Sequence, residues 1–76
     1  MKQITVQGEQ PFSPLAHSFG ISASNEGYVL NYSSDGVTWD SVGSETASGE
    51  NNFVLNVPKG MFFKCVGNNS QITISY

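Results

Sequence analysis

Carboxylates are the first candidates for chemistry in this chain, because glycoside hydrolysis needs two of them facing each other across a bound sugar. Four acids fall in the middle of the sequence, at Asp35, Asp40, Glu45 and Glu50. The side chain of Asp40 is expected on the face opposite that of Trp39. Glu45 and Glu50 fall in an expected mobile loop, which cannot hold a catalytic geometry.

Calcium ligation needs carboxylates at two-residue spacing around a glycine. The acids lack this spacing, so we interpret them as solvated side chains.

Histidine and cysteine offer no catalytic pattern. His17 is the only histidine and Cys65 the only cysteine, which excludes an intrachain disulfide and leaves no Cys/His set for zinc. No serine lies in a G-x-S-x-G elbow that His17 would serve. Alternation with Leu15 and Phe19 predicts that His17 is a hydrogen-bonded sheet or interface residue. Cys65 shares a face with Phe63 and is expected to be a small buried hydrophobe. The sequence predicts no catalytic residue, no metal and no cofactor, and hence a protein that is not an enzyme.

Aromatic residues present two alternatives. Tyr28, Tyr32, Trp39 and Tyr76 would form an exposed platform if the protein stacks sugar rings, as carbohydrate-binding modules do. Alternatively, two or three of them fill the core, since aromatic side chains are large and serve packing first.

Charge and composition restrict the partners. The chain has three Lys, no Arg, six acids and a net charge of −3, so it lacks the basic cluster that nucleic acids or anionic membranes require. Ser, Thr, Asn and Gln supply 26 of the 76 residues, which predicts a neutral, hydrogen-bonding surface. The first residues, MKQITVQ, contain no hydrophobic run typical of a signal peptide or a membrane span. We therefore expect synthesis in the cytoplasm without export by a signal peptide.

Short runs of β-branched and aromatic residues alternate between turn residues, and helical periodicity is absent. This pattern predicts one all-β domain over residues 1–76, a small antiparallel β-sandwich of about seven strands, Ig-like or jelly-roll-like. Gly20 is a candidate bulge. Residues 8–14 are expected to be irregular or at a sheet edge because of two prolines, and residues 43–52 to be the longest loop. The expected strand segments are 2–7, 15–23, both arms of a hairpin within 28–42, a second hairpin of 53–57 with 61–66, and 71–76.

The segment SSDGVTW, residues 33–39, is the strongest turn signal. It resembles the Asp-box S-x-D-x-G-x-T-W of sialidase-type propellers with one residue missing. Asp35 is expected to accept backbone N–H bonds, Gly36 to take a positive φ, and Trp39 to pack beneath the turn. A two-residue loop would place Tyr32 opposite Trp39, and a three-residue loop of residues 34–36 would shift that register by a bulge.

The core available to so short a chain is small, and without a disulfide or a metal it is expected to supply only about 3–5 kcal/mol. Open sheet edges also need covering. We therefore expect an oligomer or lattice contacts, with residues 8–14 and 43–52 as contact surfaces. The expected core residues, besides the aromatics already considered, are Ile4, Val6, Leu30, Val37, Phe53, Leu55, Phe63, Ile72 and Ile74.

Residues 28–76 carry three hairpin or strand patterns: Y-x-L-x-Y-S-x-D-G-V-x-W, V-P-x-G-M-F-F-K and G-N-x-S-x-I-T-I. In these patterns the chain resembles the small β-sandwich auxiliary or decoration proteins on the heads of tailed bacteriophages, including crAss-like phages. Similar hairpins occur in discoidin-like and other extracellular sandwich domains. The phage resemblance implies a structural protein on the capsid surface of a virion, bound to the major capsid protein or another virion protein. The alternative is a carbohydrate- or cell-surface-binding module.

Overall fold

The computed structural model describes residues 2–23, 27–43, 47–54 and 58–76. These residues form antiparallel strands and no helix, and so none of them belongs to a helix that could cross a membrane. The all-β class is confirmed. The strands are β1 (Gln3–Gln7), β2 (Ser18–Ala23), β3 (Val29–Ser33), β4 (Asp40–Ser41), β5 (Glu50–Val54), β6 (Phe62–Val66) and β7 (Gln71–Ser75).

The strands form two antiparallel sheets, as expected for a small β-sandwich. One sheet has four strands in the order β1-β7-β2-β5, and the other has three in the order β4-β3-β6. Most of the strands alternate buried and exposed side chains, as in β6, where Phe63 and Cys65 are buried between less buried neighbours. This period of two directs one face of each sheet to the shared core.

The core contains phenylalanines from both sheets and from one loop. The rings of Phe19 and Phe63 lie 4.9 Å apart between centroids, and Phe12 lies 5.9 Å from Phe19 and 6.0 Å from Phe63. Of the expected core residues, five are buried and two, Ile4 and Phe53, pack against the core while partly exposed. Val37 is a wrong prediction, since it is 79% exposed, and Leu55 lies outside the described residues. The buried apolar set is Val6, Phe12, Phe19, Ile21, Ala23, Tyr28, Leu30, Phe63, Cys65, Ile72 and Ile74.

Strand β2 is shorter than the alternation from residue 15 predicts. It begins at Ser18, because Leu15 has a φ of 55° and its side chain is 66% exposed. The prediction that His17 is a sheet residue is therefore wrong: it is exposed and precedes the strand. The bulge expected at Gly20 is also absent, since β2 pairs with β5 without interruption. Gly20 instead allows a close approach, because a Cβ atom there would lie 2.9 Å from Oδ1 of Asn52.

Strand β5 overturns two expectations. Residues 50–52 belong to a strand and not to a loop, and Ala47 exchanges two backbone hydrogen bonds with Tyr28. The expected hairpin of 53–57 with 61–66 does not form, because β5 pairs with β2 in one sheet while β6 pairs with β3 in the other. Residues 55–57 lie outside the described part of the chain.

Segment 8–14, which contains two prolines, reaches the edge of β6 at residues 12 and 13. Phe12 donates its N–H to the carbonyl of Phe63 and accepts from the N–H of Phe63, each at 2.8 Å. The hydroxyl of Ser13 donates to the carbonyl of Met61 at 2.9 Å. The expected edge position is confirmed. This segment, expected to contact a partner, thus uses its backbone at Phe12 within the domain.

Candidate binding surface

The turn between β3 and β4 is held by one carboxylate. Oδ1 of Asp35 accepts the backbone N–H groups of Val37 at 2.8 Å and Thr38 at 3.0 Å, and the hydroxyl of Ser33 at 2.9 Å. These bonds, first that from Thr38, then those from Val37 and Ser33, lower the pKa of Asp35 to about 2 by favouring the ionised form. Gly36 has a φ of 78°. The roles expected for Asp35 and Gly36 are confirmed, whereas the packing of Trp39 beneath the turn stays a prediction.

The register of this hairpin matches neither expected loop. Tyr32 lies opposite Asp40, and Asn31 lies opposite Ser41. The connection therefore runs from residue 34 to residue 39. Its length follows from Ser33, whose hydroxyl accepts the N–H of Gly36 at 2.8 Å and so closes a local turn before strand pairing begins.

The ring of Trp39 contacts the ammonium group of Lys64, which lies on the opposite edge of the three-stranded sheet. The Nζ atom of Lys64 lies 4.4 Å from the centroid of the Trp39 ring. Lys64 is on β6, Trp39 directly precedes β4, and β3 lies between these strands. The contact therefore crosses the outer side of β3, where Asn31 is paired with both Lys64 and Ser41. Oδ1 of Asn31 is buried without a hydrogen-bond partner among the described residues.

The outer side of the three-stranded sheet carries apolar side chains beside the polar Asn31, Lys64 and Ser41. On β6, Phe62, Lys64 and Val66 alternate with the buried Phe63 and Cys65, so they face outward. Val66 pairs with the half-buried Val29 of β3. The turn adds to this surface, because a Cβ atom at Gly36 would lie 3.9 Å from Cδ2 of Phe62. We call this surface the Trp39 face and define it by Val29, Trp39, Phe62, Lys64 and Val66.

Exposure on the Trp39 face is uneven. Phe62 is 37% exposed, whereas Trp39 and Lys64 are half-buried against each other, and the neighbouring turn exposes Val37. A sheet with one face in water is expected to alternate apolar and polar residues. Strand β6 departs from that rule, because Phe62 and Val66 flank Lys64 on the outward side. The face thus exposes apolar side chains at positions where an alternating strand would place polar ones.

The outer side of the four-stranded sheet is polar by contrast. A shallow depression of about 290 Å³ lies beside Gly20, lined by apolar groups and by hydroxyl and amide groups from β2, β5 and the end of β7. A neighbouring depression of about 260 Å³ shares Gly20, Asn52 and Ser75 and includes the carboxylate of Glu50. The missing side chain of Gly20 leaves room for these openings.

The four residues of the expected aromatic platform do not form one surface. Tyr28 is fully buried, which excludes it from any platform. Burial raises the pKa of its hydroxyl to about 12, and its oxygen accepts from the side-chain amide of Asn51 at 3.3 Å. Tyr32 and Tyr76 are partly buried against the core, whereas Trp39 lies on the outer side. The alternative that aromatics fill the core holds for Tyr28.

The other candidate residues are dispersed. Asp40 is exposed on β4 and Glu50 is exposed on β5, in different sheets, and Glu45 lies outside the described residues. Cys65 is a fully buried free thiol, as expected, and burial raises its pKa to about 12. Within the described ranges no group of three or more His, Cys, Asp or Glu side chains could hold a metal ion.

Sequence reasoning did not identify the Trp39 face. A signal was present in F-F-K-C-V, residues 62–66, where apolar residues occupy both positions of the alternation. Such a run indicates a strand whose two faces both contact apolar surroundings. The pairing of Val66 with Val29 depends on the order of the strands, which the sequence pattern does not contain.

The fold and this surface define a small antiparallel β-sandwich with apolar side chains on one outer face. Comparisons with protein-family models, with curated proteins and with solved structures found no match to the chain.

Proposed function

We propose that this chain is a non-enzymatic structural protein that binds the capsid surface of a tailed-phage virion as an auxiliary or decoration protein. The observation that carries the proposal is the Trp39 face. Apolar side chains on an outer sheet face, with Phe62 37% exposed, favour a role in which another protein covers that face. The hairpin patterns of residues 28–76 favour the phage setting, and the partner is the major capsid protein or another virion protein.

The size of the domain suits docking through a single face. Its accessible surface is 4487 Å², and a standard interface takes about 800 Å² from each partner. One outer face of the sandwich is therefore sufficient. Because the chain carries only nine charged side chains, we expect docking by apolar contact and neutral hydrogen bonds, with weak dependence on salt.

Co-sedimentation tests this function. Labelled protein is mixed with empty shells from a panel of tailed phages, and the fraction that pellets is measured at low and high salt. We expect saturable binding to some shells, at a fixed ratio to capsid subunits, that persists at high salt. Absence of binding to every shell, or binding abolished by salt, would contradict the proposal.

A carbohydrate- or cell-surface-binding module is the second candidate, and the depression beside Gly20 favours it. Hydroxyl and amide groups around a neutral opening suit the hydroxyls of an uncharged sugar. Filling the depression by Gly20→Val should abolish retention on immobilised polysaccharide if this candidate is right. Phe62→Asp, on the opposite side of the sandwich, is the matched control and should leave that retention unchanged.

A further inference from the structure

The edges of the two sheets are protected to different degrees. Segment 8–14 covers part of the edge of β6 through Phe12, and β4 has only two residues. On β1, Gln10 donates its N–H to the carbonyl of Gln7 at 3.1 Å, and its side-chain oxygen accepts the N–H of Gln7 at 3.4 Å. Each of these features limits the pairing of its own sheet edge with a strand from another molecule.

Strand β5 has no such protection among the described residues. The N–H of Ala23 donates to the carbonyl of Gly49, and the register pairs Ile21 with Asn51 and Phe19 with Phe53. Because hydrogen-bonded pairs alternate along antiparallel strands, Asn51 and Phe53 direct their backbone groups toward β2. The N–H and C=O groups of the alternate residues, Glu50, Asn52 and Val54, therefore point away from the sheet.

We infer that β5 is a self-association edge, where a second copy of this chain adds its own β5 in antiparallel orientation. The pairing has a two-fold axis at Asn52. Asn52 then exchanges backbone hydrogen bonds with Asn52 of the partner subunit, and Glu50 does so with Val54 of the partner subunit. The two four-stranded sheets become one continuous sheet.

The side chains fit this register. Each carboxylate of Glu50 faces a valine, and the two Glu50 positions lie about 14 Å apart, four residues along the strand direction. Like charges are thus kept apart. Val54, 86% exposed in the single chain, gains the aliphatic stem of Glu50 of the partner subunit. The central Asn52 pair can exchange side-chain hydrogen bonds.

The same arrangement on β1 is blocked. A two-fold pairing about Thr5 would place Gln3 opposite Gln7 of the partner subunit. The outward backbone groups of Gln7 already bond to Gln10, so this pairing would sacrifice existing hydrogen bonds. We therefore place the second copy at β5. Strand β1 is the internal control, because its edge is not expected to pair.

Amide hydrogen exchange of the wild-type chain tests the inference directly. Exchange rates are measured by NMR at protein concentrations spanning roughly a hundredfold range, with sedimentation at the same concentrations. We expect a monomer–dimer equilibrium in which the amides of Glu50, Asn52 and Val54 become protected as dimer forms, while that of Thr5 does not. A monomer at all concentrations, or a dimer in which these three amides exchange as fast as in the monomer, would overturn the inference.

Proline substitution gives a matched pair of variants. The N–H groups of Asn52 and Thr5 both point out of the sheet, so Asn52→Pro and Thr5→Pro each spare the internal hydrogen bonds. We expect Asn52→Pro to weaken dimerisation at least tenfold and Thr5→Pro to leave it near wild type. Equal dimerisation by both folded variants would contradict the β5 interface. If either variant unfolds, the wild-type exchange pattern decides alone.

Discussion

Lys64 and Trp39 join the two edges of the three-stranded sheet, with the ammonium nitrogen 4.4 Å from the ring centroid. The contact crosses the outer side of β3. It places a charged group over an aromatic ring on a surface that also carries Val29, Phe62 and Val66. The pair therefore links the two edges of this sheet across the Trp39 face.

The first prediction concerns the coupling of this pair. A cation over an exposed tryptophan contributes about 0.5–1 kcal/mol. A double-mutant cycle with Lys64→Met and Trp39→Leu, followed by denaturant unfolding, should return a coupling free energy of that size. Lys64→Met keeps most of the aliphatic stem, so it isolates the charge. Additive effects of the two substitutions would show that the contact contributes nothing to stability.

The second prediction is a stability change at low pH. The pKa of Asp35 is lowered from its ordinary 3.8 to about 2 by hydrogen bonds to the ionised carboxylate. A lowered native pKa stabilises the fold above the unfolded value of about 4, and this contribution is lost as pH falls from about 4 to about 2. Denaturant midpoints across this range should therefore fall more steeply for wild type than for Asp35→Asn.

Asp40→Asn provides the control for this pH dependence, because Asp40 is exposed on the adjacent strand and outside the turn. The steep fall should persist in this variant. NMR titration of the Asp35 carboxyl gives an independent reading. An ordinary titration midpoint for this group would contradict the turn geometry.

The third prediction concerns the turn backbone. Gly36 has a φ of 78°, a region that costs an L-residue roughly 1–2 kcal/mol. Gly36→Ala should lower the free energy of unfolding by about that amount. Gly43 lacks a positive φ, and a Cβ atom there would meet no atom of the described residues within 4 Å, so Gly43→Ala is the matched control. Equal effects of the two variants would remove the strain argument.

The fourth prediction concerns Cys65, which is fully buried and whose pKa burial raises to about 12. Reaction of the native protein with a thiol reagent should be slow and limited by opening of the fold, whereas the denatured chain should react at once. Cys65→Ser should destabilise more than Cys65→Ala, because it buries a hydroxyl. Rapid labelling of the native protein would show an accessible thiol.

Local sequence patterns predicted where the strands lie better than they predicted which strands pair with each other. The alternation of β1 and β7, and the turn residues Asp35 and Gly36, act over a few positions and were visible in the sequence. The partners of β5 and β6 were not, because Pro58 and Gly60 suit a tight turn as well as a crossing between sheets. The prediction that β2 begins at Leu15 was wrong for a local reason. Apolar and polar residues alternate after Pro14, but the backbone at Leu15 is not extended.

The candidate surface was harder to predict than the fold. Its members come from three separate segments, and which of them meet depends on β3 lying between β4 and β6. Phe12 shows the same difficulty in the core. As a single aromatic between two prolines it belongs to no periodic pattern, yet its ring packs against Phe19 and Phe63.

Binding of capsid shells by two aspartate variants tests the central claim, that the Trp39 face is the docking surface. Phe62→Asp puts a charge on that face, and Thr5→Asp puts the same charge on the exposed outer side of the other sheet. With shells that bind the wild-type chain, co-sedimentation should show affinity reduced at least roughly tenfold for Phe62→Asp and unchanged for Thr5→Asp. Undiminished binding by a folded Phe62→Asp protein, or equal loss in both variants, would contradict the account.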